Sequence, residues 1–241
     1  QYVLAGLDNT GADLLTRANT EPLLLLEQGL DDQALDALRL LEERVDASPS
    51  RSGAEAMLVI VHAFARGGVD LYSSGNLERT LSRSRTHWQD GEASTAVTGA
   101  AALAMTARGR HRAALQLARA HPRRDWFIVC AEAVALLALD RASDAVPVIE
   151  DLVGLSDLPR ARATASTLGA CAQLRLGRAE SALTRLESTM TATSAGMVRL
   201  ALRLVPHQDV EALLASASAA APAVKDMLVQ SLEDPHPVTR G

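Results

Sequence analysis

Aromatic residues are almost missing from this sequence: two Trp, two Tyr and two Phe in 241 positions. A β-sandwich or barrel fills its core with aromatic and β-branched side chains, so the composition argues against both. Cysteine is scarce as well. Cys130 and Cys171 lie 41 positions apart in apolar stretches, with no C-x-x-C and no adjacent histidine pair, and read as two reduced core thiols. Lysine occurs once, as Lys225, among 24 basic residues, a bias of GC-rich coding without direct functional meaning. No apolar run is long enough to cross a bilayer; Val129–Leu139, for example, is broken by Glu132. No basic stretch followed by an apolar run marks a signal peptide, so a cytoplasmic location without membrane contact is expected. The charge balance of 24 basic against 29 acidic residues leaves −5, too mild to demand a nucleic-acid or membrane partner. Fifteen Gly and nine Pro are ordinary usage and exclude a disordered low-complexity chain. The first residue is Gln1 rather than Met, and a piece of a longer protein is expected.

What the chain has is alanine, 44 of them, in a pattern. Four stretches repeat one another: LLLLEQGLDDQALDAL (Leu23–Leu38), AMTARGRHRAALQLA (Ala104–Ala118), LLALDRASDAVPVI (Leu136–Ile149) and AQLRLGRAESALTRL (Ala172–Leu186). Taking Gly29, Gly109, Asp140 and Gly177 as a turn anchor, alanine follows five residues on each time, at Ala34, Ala114, Ala145 and Ala182. The next column reads Leu35, Leu115, Val146 and Leu183, and nine past the anchor come Leu38, Ala118, Ile149 and Leu186. Seven and five residues before the anchor the last three copies have Ala102/Ala104, Ala133/Ala135 and Ala170/Ala172; the first copy has Pro22 and Leu24 instead. The physics is close approach. Small residues on facing sides let two helices of a hairpin pack backbone to backbone, larger neighbours fill the groove to the next pair, and glycine supplies the left-handed turn between them.

The last three anchors are spaced by 31 and 37 residues, bracketing a helix–turn–helix unit of about 34. On these residues the chain resembles the tetratricopeptide family, over residues 10–190. A proline after the second helix recurs at Pro49, Pro122 and Pro159, whereas the family's aromatic positions are mostly aliphatic here. The resemblance implies an all-α fold, an α–α superhelix (solenoid) of divergent helical hairpins. Residues 10–29 and 31–46 form the first pair, 47–51 a loop, and helices are expected at 53–66 and 76–89. Further helices are expected at 94–108, 111–120, 125–139, 143–154, 159–176 and 179–190, with Ser143 as a cap placing Pro147 in a first turn. Shorter helices at 195–204, 208–218 and 222–232 read as a carboxy-terminal cap and tail, so that 1–241 is one domain with 195–241 as its cap.

No chemistry-bearing motif emerges. The six histidines (62, 87, 111, 121, 207 and 236) are solitary or a helix apart, which gives no metal-ligand spacing. No Walker, dinucleotide-binding or G-x-S-x-G pattern occurs, and the carboxylates are spread over solvated helix faces, so neither an enzyme nor a cofactor is expected. Charge is distributed unevenly. Residues 1–50 carry ten acids against three arginines, and residues 76–124 carry nine arginines (79, 83, 85, 108, 110, 112, 119, 123 and 124) against three acids. Such a basic middle is either solvated helix ends or a surface for an anionic ligand or acidic partner. Within it Trp126 beside Arg123 and Arg124 is the most ligand-like group, because an indole with guanidiniums suits a sugar, nucleotide or carboxylate; the competing role for Trp126 is packing between repeats, and Phe127 reads as core. Arg160, Arg162 and Gln173 are the nearest approach to a carboxylate clamp.

Divergent alanine-rich repeats, arginine without lysine and the closing segment Met227–Gly241 together resemble the helical-repeat region of the large ATP-dependent LuxR-type (MalT-like) transcription regulators. That resemblance implies a non-catalytic sensor and coupling segment lying between an ATPase core and a DNA-reading helix-turn-helix. Its concave face would receive a small inducer or a protein domain, with no nucleic-acid contact of its own. The alternative is a free-standing tetratricopeptide adaptor scaffold that grips a partner protein.

Overall fold

Each of the four anchors stops a helix in the same way. The structure, a computed structural model, describes residues 21–40 (except 23, 31, 35 and 38), 92–190 and 193–232. Gly29, Gly109 and Gly177 have φ of 73°, 74° and 74°, and Asp140, at 58°, is the one non-glycine with positive φ among the described residues. Behind each anchor the same two hydrogen bonds close the helix end: Gly109 N–H to Thr106 O and Arg110 N–H to Met105 O, Asp140 to Leu137 and Arg141 to Leu136, Gly177 to Leu174 and Arg178 to Gln173, Gly29 to Leu26 and Leu30 to Leu25, all at 2.8–3.0 Å. These are Schellman motifs, in which a left-handed residue returns two terminal carbonyls to partners. The residue after each anchor then opens the second helix: its carbonyl accepts from the repeat alanine's N–H, at Ala34, Ala114, Ala145 and Ala182. All four of those alanines are fully buried, and the paired alanines before the last three anchors are buried too.

The described residues are helical, with no strand among them. Besides an amino-terminal hairpin (21–27 and 32–40), the helices are α1 (Glu92–Ala107), α2 (His111–Ala120), α3 (Trp126–Ala138), α4 (Ala142–Gly154), α5 (Pro159–Arg175), α6 (Ala179–Met190), α7 (Ala195–Leu202), α8 (His207–Ala220) and α9 (Pro222–Leu232). These bounds fall within two residues of the sequence expectation. The expected elements at 47–51, 53–66 and 76–89, the columns at Leu35 and Leu38, Pro49, and the tail after 232 lie outside the described residues.

Packing follows chain order. From α1 to α6 each helix rests on the next, and α1, α3, α5 and α7 pack on one another in succession. The carboxy-terminal helices depart from that rule: α8 reaches back to α5 and α6, and α9 rests on α6, α7 and α8. One apolar cluster runs from Ala102 through Val129–Leu137, Ile149, Leu168 and Leu186 to Leu213 and Leu228. Helix α3 is buried from Ile128 to Leu137 because it has neighbours on several sides, which accounts for its nearly unbroken hydrophobicity. Gly99 lets α1 approach α3 closely, since a Cβ there would lie 2.7 Å from the Phe127 carbonyl oxygen.

The expected Ser143 cap is corrected. Helix α4 begins at Ala142, with Arg141 in the cap position and no side-chain cap bond. The Schellman turn at Asp140 has already delivered the chain into the helix by Arg141, so Pro147 falls in the second turn rather than the first. It is exposed there, where water can reach the Ser143 carbonyl that a proline leaves without an N–H.

Candidate ligand-binding surface

The amino ends of α3 and α5 carry the basic residues singled out from the sequence. Two short turns between α3 and α5 make these helices run the same way, and Arg175 near the end of α5 hydrogen-bonds the Leu137 carbonyl near the end of α3. Their starting turns therefore share one edge of the molecule.

At the start of α3, Asp125 is the N-cap: its carboxylate accepts from the N–H groups of Phe127 (3.1 Å) and Ile128 (3.2 Å). That fixes Trp126 as the first helical residue. Trp126 packs against the core, meets Phe127 edge-on at 5.3 Å, and holds its indole Nε1 buried without a hydrogen-bond partner. Phe127 is half-buried, with its backbone and Cβ against Gly99. The larger ring thus takes the packing role. Arg124 reaches across to α3: its Nη2 lies 2.8 Å from Oε2 of Glu132, while Arg119 Nε holds Oε1 at 2.7 Å. Glu132 is 3% exposed, and two guanidiniums on one carboxylate are what make a buried charge on an apolar helix tolerable. Arg123 is exposed at the bend, where His121 Nδ1 lies close to its backbone.

At the start of α5, Arg160 Nε makes a 2.6 Å ion pair with Glu27 of the amino-terminal hairpin, and Arg162 is exposed. Gln173 stands in the last turn of the same helix beside Arg178, about 20 Å away at 1.5 Å per residue. The clamp-like trio of Arg160, Arg162 and Gln173 is therefore not assembled. In the basic middle, Arg108, Arg110 and Arg112 are exposed around the α1–α2 turn, whereas residues 79, 83 and 85 lie outside the described residues.

Two further charged ties escaped the sequence reading. Arg175 grips Asp209 of α8 with both ends of its fork (2.8 and 2.7 Å) and reaches Asp140 at 3.3 Å, joining α3, α5 and α8. The Asp209 hydrogen bond pushes the guanidinium pKa higher still, outweighing burial. Arg185 of α6 crosses Gly169, where any Cβ would strike its guanidinium, to reach Glu150 of α4 at 2.6 Å. Partners 34 and 35 residues apart are one repeat apart, so the repeat period was the available signal. Both thiols are buried and free; desolvation raises Cys130 to about 12 and raises Cys171 further, with Asp209 adding to the latter.

Among the described residues no group of three or more His, Cys, Asp or Glu side chains could hold a metal ion, and no helix is long and apolar enough to cross a membrane. No family model, curated protein or solved structure matches the chain. What the edge offers chemically is guanidinium groups beside helix amino ends, a setting that attracts carboxylates and other anions.

Proposed function

We propose that this chain is a divergent tetratricopeptide-like superhelix serving as the non-catalytic sensor and coupling module of a LuxR-family transcription regulator. The observation that carries the scaffold is the fourfold recurrence of a left-handed anchor, a Schellman closure and a fully buried alanine five residues on. A unit of that kind cannot bury its apolar face alone and needs a neighbour on each side, which yields an extended concave surface. Support for the regulator assignment comes from the sequence resemblance and from the arginine-lined edge. In this reading a small inducer or a protein domain binds across several repeats, favours one superhelical curvature, and so alters contacts to flanking domains. The free-standing adaptor uses the same scaffold, and the separation of Arg160 from Gln173 along α5 means that this trio gives it no peptide clamp.

Reading the gene outward from both ends tests the assignment. An upstream Walker motif and a downstream helix-turn-helix in the same frame are expected. Stop and start codons bordering residues 1–241 would overturn it in favour of the adaptor.

A further inference from the structure

The contact between Glu27 and Arg160 joins residues 133 positions apart. A hairpin that stacked only on its sequence neighbours would not reach α5 and α7. It does so at a place fitted for it. Gly196, in the first turn of α7, lies so close to the Glu27 carbonyl that a Cβ would overlap that oxygen and stand 2.7 Å from its carbon. Glycine lowers helix propensity, so its presence there is explained by the close approach. The first turns of α5 and α7 contain no acidic residue, as those of α2, α3 and α9 do not, whereas those of α4, α6 and α8 have Asp144, Glu180 and Asp209. Glu27 brings its negative charge to the start of α5 through Arg160, while its backbone carbonyl meets the first turn of α7. Its side chain is 10% exposed and that of Arg160 is 31% exposed, a charge-assisted pair shielded from most solvent.

We infer that Arg160 in the first turn of α5 is a carboxylate-binding seat, and that the amino-terminal hairpin, resting its Glu27 backbone on the first turn of α7, is a displaceable plug holding that seat with Glu27. An acidic helix end presented by a partner protein has the chemistry to take the same seat, and its binding would free the hairpin. The proposal does not rest on the regulator reading.

The test is amide hydrogen exchange on the full chain with Glu27→Lys, Arg160→Glu, the charge-swapped double variant, and Gly196→Ala. Each single change should speed exchange across residues 24–37 about tenfold, the scale expected for breaking a half-buried charge pair. Exchange in α3 to α6 should not change, and the double swap should restore protection. A fluorescent peptide of residues 21–40 should bind the Glu27→Lys chain, whose seat is empty, and bind neither the wild type nor the double variant. Unchanged exchange at 24–37 in all single variants, an equal rise throughout α3 to α6, or peptide binding that ignores Arg160 would each overturn the proposal.

Discussion

Cys130 and Cys171 show how far burial alone can move a residue's chemistry. With no exposed surface to solvate a thiolate, Cys130 keeps its proton to about pH 12 instead of 9.0, and Cys171 beyond that. The unfolded chain loses both protons near the ordinary value, so between pH 9 and 12 it binds fewer protons than the fold. Stability is therefore complete below that window and falls as pH rises through it. At pH 10 the loss is about 1 kcal/mol per thiol. Urea melts of wild type and of the Cys130→Ala/Cys171→Ala variant at pH 8 and 10 check this: the variant should lack that part of the decline. Below pH 9 a thiol-specific reagent should label neither cysteine until the chain unfolds. Gly177 illustrates the opposite limit, because nothing lies within 4 Å of a Cβ built there and only its φ of 74° resists a side chain. Gly177→Ala should lower the unfolding free energy by about 1–2 kcal/mol with an unchanged denaturant slope.

Among the elements, the hairpins were legible in the sequence because their punctuation is local. A left-handed residue, an alanine five positions on and alanine pairs before the turn are short-range requirements of close helix packing, and the anchors chosen on that ground all have positive φ. Asp140 could be grouped with three glycines because aspartate is among the few side chains that tolerate the left-handed region. The Ser143 cap misled for a related reason: serine is a common cap, but the Schellman turn one residue earlier had already started α4. No local pattern marks the charged ties: Arg175–Asp209 carries only the repeat spacing, and Glu27–Arg160 depends on which helices touch. Trp126 beside two arginines read in sequence as either a ligand group or a packing residue; its ring lies partly buried against the core and Arg124 pairs with Glu132. At this scale Asp209→Ala should cost about 3–5 kcal/mol by stranding Arg175, whose side chain is only 13% exposed. Arg175→Met/Asp209→Leu should recover most of the loss in the same urea melts, since well-packed apolar groups can replace a buried pair.

At the scale of the molecule, among the described residues α1, α3, α5 and α7 lean on one another in order, with α8 and α9 folded back over α5, α6 and α7. The amino-terminal hairpin adds a long-range tie to the starts of α5 and α7. An NMR structure of the full chain measures this arrangement most directly, through backbone φ at Gly29, Gly109, Asp140 and Gly177 and methyl contacts between helices. The expected result is a positive φ at all four anchors, with methyl contacts from α3 to both α1 and α5. Right-handed backbone at the anchors, with helices running through them, or α1 packed broadly across α5, would contradict it.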